Sequence, residues 1–158
     1  MTRQIELRNV TDSDLPIFFE QQLDPAANHM AAFTSRDPVD REAFEAHWTQ
    51  ILDDGAVVVR TILFDGHVAG HVASYERSGK PEVTYWLGKQ YWGRGVATKA
   101  LSEFLNEFRV RPLYAGAAVD NIASIRVLQK CGFTVTGRER SFANSRNEEI
   151  EETLFELP

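Results

Sequence analysis

The chain is short of cysteine, of positive charge and of long apolar runs. Its 158 residues include one cysteine, Cys131, which excludes an internal disulfide framework and fits a reducing compartment. Lys and Arg number 17 against 23 Asp and Glu, for a formal net charge of −6. That deficit argues against nucleic acid as a principal partner, because phosphate-backbone binding leans on basic patches. Through steering, it weakly favours a cationic or amine-bearing partner. No apolar run is long enough to span a bilayer, and Met1-Thr2-Arg3-Gln4 lacks the marks of a secretory leader. No membrane role and a cytoplasmic location are therefore expected. The four histidines do not read as a metal site: His67 and His71, read onto one strand face, would stand roughly 13 Å apart. What is plentiful is core material, with 43% hydrophobic residues, ten Phe and three Trp. A chain of this size fits one domain, 1–158, able to bury about 70% of its unfolded surface.

The hydrophobic pattern switches period along the chain. Arg3 to Arg8 alternates as a strand, and Thr11-Asp12-Ser13-Asp14 offers cap chemistry to a helix carrying Leu15, Phe18, Phe19 and Leu23. Asp24 to Pro38 reads as irregular. A helix is predicted from Asp40, with Phe44, Trp48, Ile51 and Leu52 on one face and a stop at Asp53-Asp54-Gly55. Asp65-Gly66 between Ala56–Phe64 and His67–Tyr75 is a hairpin signal, and Ser78-Gly79-Lys80-Pro81 turns into a strand at Glu82–Leu87. Ala97, Ala100, Leu101, Phe104, Leu105 and Phe108 form the strongest helical stripe, and Pro112 forbids its continuation. A buried strand at Leu113–Val119 and a helix capped by Asp120-Asn121 and closed by Gly132 come next. Two terminal strands, Phe133–Glu139 and Ile150–Leu157, are joined by a polar Arg140–Glu149 loop. The expectation is an α+β fold: a mixed, mainly antiparallel sheet flanked by about four helices.

Gln90-Tyr91-Trp92-Gly93-Arg94-Gly95-Val96-Ala97-Thr98 carries the most chemistry. It follows a strand and opens a helix, so unpaired backbone N–H groups converge there and the helix dipole adds roughly half a positive charge. Gly93 and Gly95 place no Cβ in the way of a bulky phosphate. A phosphate-bearing cofactor is expected. A dinucleotide site fits poorly, since Thr98 replaces the third glycine and no acidic strand end follows at about 20 residues. A P-loop fails for want of Gly-Lys-Ser/Thr.

The Gln90-x-x-Gly93-x-Gly95-x-Ala97 turn, together with Asn121-x-x-Ser124-x-x-Val127-Leu128-x-Lys130-x-Gly132-Phe133, resembles the GNAT superfamily of acyl-CoA N-acyltransferases over nearly the whole chain. Glu82-x-x-Tyr85-Trp86-Leu87 and Ser124-x-Arg126-Val127-Leu128 look most similar to the subgroup that includes the bacterial ribosomal-protein N-terminal acetyltransferases. The resemblance implies acetyl-CoA as co-substrate, no metal, a GNAT-like fold with a splayed parallel strand pair, and acetyl transfer to a primary amine in a ternary complex. It implies that the backbone of Arg94, Gly95, Val96, Ala97 and Thr98 holds the coenzyme pyrophosphate. The pantetheine arm would run between the Glu82–Leu87 and Leu113–Val119 strands, with an N–H among Tyr85, Trp86 and Leu87 facing the thioester oxygen. Many members carry a tyrosine acid on the last helix where this chain has Leu128. The thiolate-stabilising role passes by resemblance to Ser124, and the amine's base is placed at Glu82, with Glu148, Glu149 and Glu151 as runners-up.

Other residues keep two readings. Asn121 serves equally as a helix cap and as a pantetheine contact. Asn28, His29, Met30 and Phe33 fall where the family's acceptor loop lies and are equally compatible with a plain surface loop. Lys89, Arg94, Lys99 and Lys130 are candidates for coenzyme phosphates. Cys131 reads as a packing residue, because no activating partner is visible. The acceptor stays open among a protein N-terminus, an amino acid, a polyamine and an aminoglycoside-like amine; acidic residues of 144–152 hint at a cationic one. A homodimer through the terminal strands is as consistent as a monomer. A protein that binds acyl-CoA without catalysis is the alternative function.

Overall fold

The computed structural model describes residues 4–158, so Arg3 of the first expected strand lies outside the described residues. In chain order the elements are β1 (Ile5–Arg8), a 3-10 turn (Asp12–Asp14), α1 (Leu15–Gln22), α2 (Pro25–Ala31), α3 (Arg41–Asp53), β2 (Val58–Phe64) and β3 (His67–Arg77). They continue with β4 (Lys80–Leu87), a 3-10 turn (Lys89–Tyr91), α4 (Val96–Glu107), β5 (Leu113–Ala118), α5 (Ile122–Lys130), β6 (Thr134–Ala143) and β7 (Glu148–Leu157). The seven strands form one sheet in the order β1-β2-β3-β4-β5-β7-β6. Every neighbouring pair is antiparallel except β4 and β5, which run parallel and are linked through α4.

Two tight turns join β2, β3 and β4. Asp65 and Gly66 both have positive φ (49° and 82°), as do Ser78 and Gly79 (54° and 78°). That combination matches the strand twist in two-residue hairpins. The second turn uses only Ser78 and Gly79, so β3 runs on to Arg77 and β4 starts at Lys80, with Arg77 opposite Lys80. At the other end of the chain the hairpin is longer than its polar composition suggested. Strand pairing persists to Ala143 opposite Glu148, leaving a short tip in place of the expected Arg140–Glu149 loop. Cross-strand ion pairs, Arg138 with Glu151 and Arg140 with Glu149, let exposed charged residues occupy strand positions.

The segment expected to be irregular contains a helix, which brings the α-helices among the described residues to five. Asp24 caps α2 by accepting from the Ala26 N–H, and Pro25 occupies its first position. Asp-Pro is a helix-start signal. The short helix carries no long apolar stripe, so hydrophobic periodicity does not reveal it.

Helices cover both faces of the sheet. On one face α4 buries Val96, Ala100, Leu101, Phe104 and Leu105 against Ile62, Val72 and Val83, with Leu128 of α5 joining them. On the other, Phe18, Phe19, Phe44 and Trp48 pack over Val59 and Ala73. A bulge leaves Ala69 unpaired where β2 meets β3 and reverses the alternation there: Val68 and Ala73 share one cluster, Ala69 and Val72 the other. His71 therefore points at Phe18 and Trp48, with ring centroids 4.8 and 4.9 Å away, and His67 falls on the opposite face, not the same one. No helix among the described residues is long and apolar enough to cross a membrane.

Candidate active site

The parallel pair β4 and β5 is joined at a single register position, Glu82 opposite Tyr114. Beyond it, Val83 to Leu87 keep their β3 partners on one edge and have no β5 partner on the other. Ala115 to Ala118 likewise pair only with β7. The sheet thus opens into a cleft whose walls are strand edges, each a row of backbone donors and acceptors. Two cavities occupy it. The larger, about 590 Å³, lies against the start of α4; the smaller, about 350 Å³, lies toward α2, α3 and β7. Ala31, Tyr85, Trp86, Asn121 and Ser124 border both, so the cavities meet where the strands part.

The larger cavity has the features of a phosphate cradle. Gly93 and Gly95 have φ of 73° and 76°, and a Cβ built on either would meet nothing within 4 Å. Gly95 is the N-cap of α4, and no side chain caps that helix. Its first-turn N–H groups are therefore available to an anion. Leu87, Gly93, Gly95, Val96, Ala97, Thr98 and Lys130 line this cavity together with the five shared residues. Gln90 sits outside the lining, in the 3-10 turn. Arg94 also lies outside it, its guanidinium 6.0 Å from the centroid of the Phe64 ring. Lys89 does not reach it, and Lys99 pairs with Glu103 on the surface. Arg126, absent from the basic candidates, joins Lys130 one turn along α5. Its i, i+4 spacing from Lys130 was the available signal. Trp92 lines the cavity too, donating its indole N–H to the Leu87 carbonyl at 3.2 Å. An uncapped helix start, empty space over two glycines and two basic side chains fit a phosphate-bearing coenzyme with an extended arm.

At the junction, Ser124 Oγ and Tyr85 Oη lie 2.9 Å apart. Ser124 belongs to the first turn of α5, where Asn121 Oδ1 accepts from its N–H. The other end of the Asn121 amide donates to the Met30 carbonyl at 3.2 Å, tying α5 to α2. Burial pushes the Tyr85 phenol above its ordinary pKa, with the Ser124 hydrogen bond opposing and Cys131 adding to the rise. Leu128 is buried and lines the smaller cavity. The Cys131 thiol is also pushed up by burial and is held against the Thr98 carbonyl, which suits packing and not nucleophilic attack.

Carboxylates gather in the smaller cavity. Glu82 lines it with its proton affinity raised by burial, lowered in part by Arg77 and raised again by Glu139. Glu152 faces the same space and is shifted in the same direction by burial, Glu82 and Glu139 against Arg77. A Cβ on Gly116 would come within 2.5 Å of a Glu152 carboxylate oxygen, so the glycine makes the room this side chain occupies. Strand alternation explains why Glu152 was missed among so many acids. It points inward, while Glu149 and Glu151 point to the other face of β7, paired with Arg140 and Arg138. None of Glu148, Glu149 and Glu151 lines either cavity.

The four residues of the expected acceptor loop divide. Asn28 and Phe33 line the smaller cavity, with the Asn28 amide donating to the carbonyls of Gln22 and Asp24. Met30 lines the larger cavity. His29 lines neither; its carbonyl accepts from Arg146 Nε. No group of three or more His, Cys, Asp or Glu placed to hold a metal occurs among the described residues.

Residues 4–134 match the family model of the acetyltransferase (GNAT) domain. YdaF of Bacillus subtilis (strain 168), which bears the name of a ribosomal N-acetyltransferase, is 26% identical over 107 residues. That match covers 63% of this chain and 58% of YdaF, less than two thirds of the relative's own length. Among solved structures, RimL, a ribosomal L7/L12 alpha-N-protein acetyltransferase in complex with coenzyme A, is similar with a TM-score of 0.81 at 18% identity, covering 96% of this chain and 92% of that one. Spermidine N-acetyltransferase from Vibrio cholerae, in complex with CoA and spermine, is similar with a TM-score of 0.80 at 17% identity, covering 98% and 96%. At such identities the structural likeness establishes the fold.

Proposed function

This chain belongs to the acetyltransferase (GNAT) domain family, and from that premise we propose that it transfers an acetyl group from acetyl-CoA to a primary amine by direct attack. One observation carries the reading: two cavities, one built for phosphates and one lined by carboxylates, meet at Ser124 in the split between β4 and β5. Acetyl-CoA supplies the activated acyl group. The chain supplies position, exclusion of water and hydrogen bonds aimed at developing charge.

The backbone from Gly93 to Thr98 receives the pyrophosphate, with Arg126 and Lys130 adding charge along α5. The unpaired edge of β4 orders the pantetheine arm, and an N–H among Tyr85 to Leu87 faces the acyl oxygen. Glu82 takes the proton that the amine must lose. Its raised proton affinity brings a carboxylate closer to the working range of a base at neutral pH. Ser124 donates to the departing sulfur. Asn28 and Phe33 shape the acceptor side. The gathered carboxylates around the smaller cavity favour an acceptor that is cationic before it reacts.

Equilibrium titration with acetyl-CoA, with NADH and ATP as controls, tests the cradle. Thiol release on adding a panel of amines, with mass detection of the acetylated product, tests the transfer. Selective acetyl-CoA binding with amine-dependent release is the expected result. Binding without release to any amine makes the protein a silent acyl-CoA binder, and no binding removes both readings. In the active enzyme, kcat/KM rises with pH as Glu82 loses its proton. Glu82→Gln abolishes that limb, and Ser124→Ala lowers kcat by about tenfold with little change in acetyl-CoA affinity.

A further inference from the structure

A serine hydroxyl is a weak device for stabilising a thiolate when it stands alone. Its O–H rotates among three staggered positions, and nothing in the helix selects the one that points at sulfur. Ser124 is not alone. Its backbone is held by Asn121, and its Oγ lies 2.9 Å from the phenol of Tyr85, which rises from β4 on the opposite wall of the cleft. Tyr85 borders both cavities. Either hydroxyl can donate across this contact, and with the phenol as donor Ser124 Oγ is the acceptor. With one lone pair engaged, the serine's own O–H is left to point elsewhere. A donor that is itself accepting a hydrogen bond is also polarised and donates more strongly.

We propose that Tyr85 is a positioning residue for acyl transfer, its phenol aiming the Ser124 hydroxyl at the leaving sulfur and strengthening it as a donor. The proposal rests on the acetyltransferase reading and deepens it. In the step concerned, the amine nitrogen forms its bond to the acyl carbon and the carbon–sulfur bond breaks, its electron pair departing on sulfur. The proton lost by nitrogen goes to Glu82. The thiolate accepts the Ser124 hydrogen bond until it takes a proton from water. A tyrosine reaching across from the strand thus assists the leaving group through serine, at a site where the buried Leu128 has no proton to offer.

Tyr85→Phe keeps the ring and removes only the hydroxyl. Its expected effect is a fall in kcat of about tenfold, with the KM for acetyl-CoA unchanged. Ser124→Ala gives a similar fall, and combining the two substitutions costs nothing further, since Tyr85 acts only through the serine. The defect of Tyr85→Phe shrinks with an acetyl thioester of an acidic thiophenol, whose thiolate needs less help, relative to that of an alkanethiol. Wild-type kcat in Tyr85→Phe, independent losses that multiply in the double variant, or a defect blind to leaving-thiol acidity would each overturn the proposal. A wild-type protein that releases no thiol with any amine overturns the transferase reading and this proposal together. Release by the wild type with an indifferent Tyr85→Phe overturns this one alone.

Discussion

Asp14 is 1% exposed, yet it accepts hydrogen bonds from the Arg8 guanidinium, the Thr11 N–H and the Thr61 hydroxyl. Burial pushes its carboxyl up, and these donors with the Arg8 charge more than reverse that, holding it at about 2. His71 goes down for another reason. Burial among Phe18 and Trp48, helped by repulsion from His47, brings it to about 4, and its buried Nδ1 has no hydrogen-bond partner. Both shifts lower the folded-state pKa, so both groups stabilise the fold above their unfolded values and lose that contribution as pH falls. The windows differ. His71 acts from about pH 6.5 down to about 4, costing on the order of 3 kcal/mol; Asp14 acts from about 4 down to about 2, costing about 2 kcal/mol. Urea unfolding at a series of pH values should show the first loss begin near 6.5. His71→Phe should flatten stability between pH 6.5 and 4 and leave the lower window intact.

The tip of the β6–β7 hairpin is tied to the end of α2 and the segment that follows it. Asn144 donates to the Thr34 carbonyl, Ser145 donates to the Ala32 carbonyl from both N–H and hydroxyl, and Arg146 donates to the His29 carbonyl. Arg146 also makes a paired contact with Asp120, at 2.7 and 2.9 Å, just before α5. One arginine thus couples the end of α2, the start of α5 and the hairpin, and its side chain is only 8% exposed. Arg146→Ala should raise the KM for the acceptor amine severalfold and quicken amide exchange across residues 29–34. Acetyl-CoA affinity should stay near the wild-type value, because the cradle is built from α4. This clamp was invisible in the chain. Arg146 lies 117 residues from His29 and 26 from Asp120, and a lone arginine in a polar tip looks like any solvated charge.

At the scale of the whole molecule the sheet is two halves, β1 to β4 and β5-β7-β6, meeting through one register pair and the helices that bridge them. A ligand seated in the split touches both halves, so its binding energy adds directly to cohesion between them. Acetyl-CoA at a hundred times its Kd should raise Tm by about 5–10 °C. Hydrogen exchange should slow together along β4 and β5, with little change in β1. Protection confined to α4 would mean that the arm does not enter the cleft.

Periodicity and turn chemistry determined most of the elements, α2 excepted, and marked the glycine turn before α4. Asp65-Gly66, the stripe from Ala97 to Leu105 and the two glycines before α4 act through neighbours only a few residues away, and such signals survive in a single sequence. The hairpin was underestimated because charge reads as loop until the cross-strand partner is known. Only the tertiary structure decided the rest. The bulge at Ala69 turned His71 toward Phe18 and Trp48, alternation along β7 chose Glu152 over Glu151, and the parting of two strands brought Tyr85 to Ser124 across 39 residues. Each depends on which strand lies beside which and in what register, and register is set by long-range packing, not by local residue order.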